Sequence, residues 1–119
     1  MSTPTITEAQ VIETGRTVLA RLNADDFAGP SGKAARRLLG ACRDGLAESW
    51  DDYQGVKDGQ IHPGRIFPEL EHDDDGYSVA LRKLSDDVLA WARAAVLVVR
   101  DHCGQEAADV LAAAEGGAL

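Results

Sequence analysis

Five carboxylates fall within seven residues at Glu69, Glu71, Asp73, Asp74 and Asp75, with His72 among them and His62 a short way upstream. Carboxylate oxygens are hard ligands, and with an imidazole beside them they suit Ca²⁺, Mg²⁺ or Mn²⁺. The same residues have two plainer uses. The last Asp can cap a following helix, whose positive N-terminus favours a carboxylate. A solvated acidic surface can also occupy a basic site on another protein in place of phosphate. We therefore take Glu69, Glu71, Asp73, Asp74 and Asp75 as the candidate partner-binding residues.

Specific ligand patterns narrow the metal reading. If Gly76 takes the glycine position of an EF-hand loop, Asp73 and Asp75 fall at its third and fifth positions and Glu71 at its first. The twelfth position is then Arg82, where a bidentate Glu is required. Glu69-Leu-Glu-His72 is one Glu-x-x-His pair, and a carboxylate-bridged di-metal site needs two on facing helices. A further pattern is Glu48-x-x-Asp51 followed by Glu71-x-x-Asp74. It is similar to the paired acidic motif of the all-α nucleotide pyrophosphohydrolases, the MazG and dimeric dUTPase type, with Asp51 where that family has Glu. The resemblance implies that Glu48, Asp51, Glu71 and Asp74 hold Mg²⁺ against a nucleoside triphosphate, bridging phosphate oxygens and activating water. A divalent-metal-dependent enzyme of that kind is the alternative to a binding function.

Other candidates fare less well. Gly29-Pro-Ser-Gly32-Lys33-Ala34 echoes a phosphate loop, but Phe27 and Ala34 stand where Walker A needs Gly and Ser or Thr. Lys33, Arg36, Arg37 and Arg43 form a basic helix face that can touch phosphates. No aromatic stacking set accompanies it and the chain is acidic, so direct nucleic-acid binding is not expected. The acidic 51–75 segment folding back on this face would neutralise both. Trp50, Tyr53 and Trp91 lie on apolar stripes and are expected in the core. His102 ends a helix, where the dipole favours its charge. Ser31, Ser49, Ser78 and Ser85 stand in no motif that pairs them with a base. No catalytic residue, metal site or cofactor is assigned.

Helices must position these groups. Thr7-Glu-Ala-Gln10 is a capping box, and Val11, Ile12, Gly15, Val18, Leu19 and Leu22 then share one face at helical spacing. A first helix is expected over 7–23, after a frayed lead at 1–6, with Asp25, Asp26, Gly29, Pro30 and Gly32 stopping it. Ser31 can cap a second over 31–53, striped by Ala35, Leu38, Leu39, Cys42, Leu46, Trp50 and Tyr53. Residues 54–77 carry Gly55, Gly59, Pro63, Gly64, Pro68 and Gly76 and read as a long acidic loop. Ile61, Ile66, Phe67 and Leu70 argue that part of it packs down. The third helix, 78–103, repeats Leu81, Leu84, Val88, Trp91, Ala95, Val98 and His102 at steps of three and four. The β-branched run Val96–Val99 offers a strand as the competing local structure. A last helix is expected over 105–115, ended by Gly116 and Gly117. The predicted fold is all-α, a four-helix bundle-like single domain with a long acidic irregular connection between helices two and three.

Charge and composition bound the function class. The 119 residues carry a net charge of −8, with 45% hydrophobic and 27% charged residues, which suits one globular domain. Residues 1–50 are neutral overall, and most of the excess negative charge lies in 51–75. The longest apolar run, Ala94 to Val99, is far short of the ~20 residues that span a bilayer. No signal peptide is legible in the first twenty residues. A cytoplasmic protein with Cys42 and Cys103 as free thiols is expected, a Cys42–Cys103 bridge being the alternative. The leading expectation is a small acidic module that binds another protein, through the 51–75 segment or an exposed helix face. It would act as an inhibitor, immunity or accessory protein, its partner a basic nucleic-acid-handling enzyme or, by self-association, a second copy in a homodimer.

Overall fold

The computed structural model describes residues 6–25, 27–113 and 119. The expected lead at 1–5, Asp26 in the first turn, and the close of the last helix at 114–117 lie outside the described residues. Among the described residues the elements are α1 (Glu8–Leu22), α2 (Lys33–Lys57), α3 (Pro63–Ile66), a 3₁₀ turn (Pro68–Leu70), α4 (Gly76–Cys103) and α5 (Gln105–Ala112). The chain is an all-α domain of interacting helices.

The local signals act where they stand. Thr7 Oγ1 accepts the Gln10 N–H at 3.1 Å, and Gln10 Oε1 accepts the Thr7 N–H at 2.8 Å, so two otherwise orphan donors of α1 are satisfied reciprocally. Ser31 does not cap α2: Gly32 holds the N-cap position and no side chain bonds there. The helix runs on to Lys57, past the expected end at Tyr53, because Ile61 packs onto its last turn where Gly55 leaves room. A Cβ on Gly55 would lie 2.4 Å from Ile61 Cδ1. Val96–Val99 is helical, carried by the 3.6-residue periodicity of its flanks. Gly104, at φ +98°, ends α4.

Helices α2 and α4 form the main packed pair. They run antiparallel: the Trp91 ring lies against Gly45, and Tyr77 Oη donates to the Lys57 carbonyl at 2.7 Å. Helix α1 covers one side of this pair. Gly15 permits its approach, since a Cβ there would lie 2.3 Å from Val88 Cγ1. Trp50 Nε1 donates to the Ile12 carbonyl at 3.3 Å. Val18, Leu46, Val56, Val88 and Val99 are fully enclosed between the three helices. Helix α5 folds back on α4 and touches α1, where the Arg21 guanidinium donates to the Val110 and Leu111 carbonyls in its last turn. The domain is 21 Å thick, the depth of two helix layers at about 10 Å each.

Two residues expected in the core are not there. Leu38 is 55% exposed and Trp91 37% exposed. Both lie on the side of the α2/α4 pair away from α1, which no other described element covers. Tyr53 is buried as expected, and its hydroxyl donates to Glu8 Oε2 at 2.8 Å. Burial, then that bond, push the phenol far above its ordinary range.

Candidate functional site

The 58–75 connection is built against the helices, not left irregular. Pro63 and Leu70 are buried, and Ile61, Ile66 and Phe67 pack on the core. His62 Nδ1 accepts the Gly64 N–H at 3.0 Å and so caps α3. Gly64 is required by close approach: a Cβ there would sit 2.8 Å from the Glu71 Cα. With its apolar residues turned inward, the segment presents its acids outward.

Glu69, Glu71, Asp73, Asp74 and Asp75 are all exposed. Glu69 accepts from Lys83 Nζ at 3.2 Å. A bond from its own backbone N–H, then the Lys83 ammonium, hold its carboxyl below the usual range. The same ammonium stands 5.0 Å from the Phe67 ring centroid, a cation–π contact that ties the connection to α4. Asp73 Oδ1 accepts the Asp75 N–H at 2.8 Å. Asp75 occupies the N-cap position of α4 yet makes no capping bond with its side chain. The expected cap is therefore displaced to Asp73, whose carbonyl also accepts the Gly76 N–H. Among the described residues no carboxylate of this segment pairs with Lys33, Arg36, Arg37 or Arg43, so the segment does not fold back on the basic helix face. It reaches Lys83 on α4 instead.

Among the described residues no group of three or more His, Cys, Asp or Glu is placed to hold a metal ion. Glu48, Asp51, Glu71 and Asp74 are thus not gathered as the pyrophosphohydrolase resemblance implies. On α2 itself Glu48, Asp51 and Asp52 crowd one another. Burial, then the neighbouring Glu48 and Asp51 charges, push the Asp52 carboxyl up. Cys42 and Cys103 are both free, and burial pushes the Cys42 thiol up. His102 is exposed at the end of α4.

The most distinctive surface holds Leu38 and Trp91, two residues whose spacing predicts a place in the core. On α2, Ala34, Leu38, Ala41 and Gly45 recur at steps of four, three and four along one stripe. Gly45 meets the Trp91 ring, whose Cε2 would lie 2.3 Å from a Cβ on Gly45. On α4, Ala94 follows Trp91 by one turn, and Ala90 and Leu97 widen the stripe outward. The antiparallel register set at Gly45–Trp91 and Lys57–Tyr77 brings Leu38 level with Leu97, itself 46% exposed. Spacing and register thus place Leu38, Ala41 and Gly45 of α2 and Trp91 and Ala94 of α4 along one side of the pair, with Leu97 at its outer edge, opposite buried Val88 on α4. The small residues of this face make it flat. At one end stand Lys33 and Arg37, which line a shallow depression with Ala34, Leu38 and Ala41. At the other stand Glu48 and Asp52, one and two turns beyond Gly45 on the same stripe. A separate groove of about 460 Å³ lies between the end of α1 and the start of α2, lined by Leu22, Phe27, Pro30, Arg36, Leu39 and Arg43.

The signal for the open face was present but ambiguous. Leu38 and Leu39 are adjacent, so both cannot point into one core. No family model, no curated protein and no solved structure matches the chain. Among the described residues no helix is long and apolar enough to cross a membrane.

Proposed function

We propose that this protein is a small helical protein–protein interaction module that docks through the uncovered face of α2 and α4. The observation that carries this reading is the exposure of Leu38 and Trp91 along the stripe that holds Gly45, with Leu97 also exposed on α4. Isolated exposed apolar residues are ordinary, whereas a contiguous apolar patch rimmed by charge marks an interaction surface. A partly exposed Trp on a flat small-residue floor is also the residue type that anchors interfaces. With two free thiols and no assembled ligand set among the described residues, an inhibitor, immunity or accessory role in a reducing compartment fits better than catalysis.

The acidic segment supports a second docking surface, for a basic nucleic-acid-handling enzyme. Of Glu69, Glu71, Asp73, Asp74 and Asp75, only Glu69 has a cation partner among the described residues, which leaves the others to meet an external one.

The test is capture and crosslinking of protein partners, copies of the chain included. It compares wild type with Leu38→Glu/Leu97→Glu and with Asp73→Asn/Asp74→Asn/Asp75→Asn, each verified as folded by circular dichroism. Loss of a stoichiometric partner in the first variant alone is the expected result. Loss in the second alone moves the site to the acidic segment. Equal capture by all three, or no partner for any, refutes docking through either surface.

A further inference from the structure

We propose that the occupant of the α2/α4 face is a second copy of this chain, packed as a two-fold dimer with α2 antiparallel to α2. The inference rests on the docking reading above and names its partner. Three observations carry it.

The first is charge. The α2 side of the face is basic at one end, with Lys33 and Arg37, and acidic at the other, with Glu48 and Asp52. Among the described residues, neither Lys33 nor Arg37 has an ion-pair partner, and neither Glu48 nor Asp52 has one either. Instead Asp52 has the like charges of Glu48 and Asp51 beside it. A surface with separated unpaired charges of both signs is complementary to itself when reversed end for end.

The second is register. In an antiparallel pair of α2 helices whose dyad passes between Cys42 and Arg43, Arg37 lies level with Glu48 of the second copy. Lys33 then lies level with its Asp52. Two-fold symmetry repeats both pairings, because an isologous contact uses every complementary site twice. The dyad falls at the middle of the apolar stretch, between Ala41 and Gly45, so the Trp91 and Leu97 faces meet at the centre while the charges form the rim. That is the arrangement of an ordinary interface, apolar within and polar at the edge.

The third is size. From Ala34 to Asp52 the face runs about 28 Å at 1.5 Å per residue, and two helices side by side are about 20 Å wide. That is on the order of 560 Å² per copy, so both copies together exceed the roughly 1,000 Å² that a specific interface must clear. Ala34, Ala41 and Ala94, with short side chains, let the helix backbones come close enough to fill the contact.

The experiment measures the mass of the full chain in solution, by light scattering and sedimentation across a concentration series, against a monomer of 12.6 kDa. Wild type is expected at twice the monomer mass. Lys33→Glu/Arg37→Glu is expected to be monomeric, since it places acid against acid at both ends. Glu48→Arg/Asp52→Arg is expected to be monomeric for the converse reason. Mixing the two variants in equal amounts restores a dimer, because each now complements the other at both rims. The substituted side chains are at or near the surface, and circular dichroism checks that each variant is folded. A wild type that stays monomeric overturns the proposal. So does dimerisation of either variant alone, or a mixture that stays monomeric. If wild type is monomeric but Leu38→Glu/Leu97→Glu still loses a different captured protein, docking through the face stands and only the second copy falls.

Discussion

Gly15 and Gly40 are both interior helix glycines, yet alanine is expected to act in opposite directions at the two. On helix propensity alone either substitution stabilises by about 1 kcal/mol. Around a Cβ at Gly40 there is nothing within 4 Å, so Gly40→Ala keeps that gain. At Gly15 the new methyl would lie 2.3 Å from Val88 Cγ1. Val88 is fully buried and β-branched, so it cannot rotate away freely. Overpacking of this kind costs roughly 1–3 kcal/mol, which equals or exceeds the propensity gain. The two substitutions should therefore differ by roughly 1–3 kcal/mol, read as urea midpoints at unchanged slope. Val88→Ala alone loses about 0.8 kcal/mol for each of two carbon groups, and more for the cavity left behind. In the double variant the methyl at position 15 occupies that cavity, so the loss is smaller than the sum by about 1–3 kcal/mol. A Gly15→Ala protein as stable as Gly40→Ala, or a cycle that adds, would refute the claim that α1 is seated by contact of Gly15 with Val88.

Further outcomes follow from the same geometry. Gly45→Ala drives a methyl into the Trp91 ring, so the indole swings outward; a red-shifted emission with little change in unfolding midpoint is expected, and unchanged emission counts against that contact. Thr7→Ala removes the capping box and should lower stability by about 1 kcal/mol, measured by thermal or urea unfolding. The raised Asp52 carboxyl means that its share of stability is present below its ordinary value of 3.8 and is lost as pH rises through the folded value. In the dissociated monomer, measured in dilute solution, Asp52→Asn should therefore stabilise at neutral pH, and the advantage should vanish in acid; an advantage that grows on acidification contradicts the sign. In thiol titration of the native protein Cys103, half-buried, should react before Cys42, which is buried and has a raised pKa.

The amino-acid sequence by itself determined the elements wherever the signal was local. Thr7 and Gln10 announced the start of α1 by reciprocal hydrogen bonds across one turn, and periodicity kept Val96–Val99 helical against their β-branching. Helix α4 also ends at Cys103 as expected, with Gly104 following at a positive φ that suits a residue without Cβ. The inward turn of Ile61, Ile66, Phe67 and Leu70 was likewise legible, since four apolar side chains gain little from standing in water. What only the tertiary structure decided was which apolar stripe has a neighbour. Leu38 and Leu39 share composition and helix, but Leu39 is buried beside Leu22 and the Phe27–Pro30 turn, and Leu38 is left exposed. Trp91 has the same spacing as buried Val88 and Ala95, yet it rests on Gly45 at an open seam because two layers of helix leave one side uncovered. Neither the exposure of that face nor its opposed charged ends can be read from spacing, because both depend on how α2 and α4 are set against each other. The same holds for the acids: their number was plain in the sequence, but whether they met one another, a metal or Lys83 waited on a fold that turned the apolar residues of their segment inward.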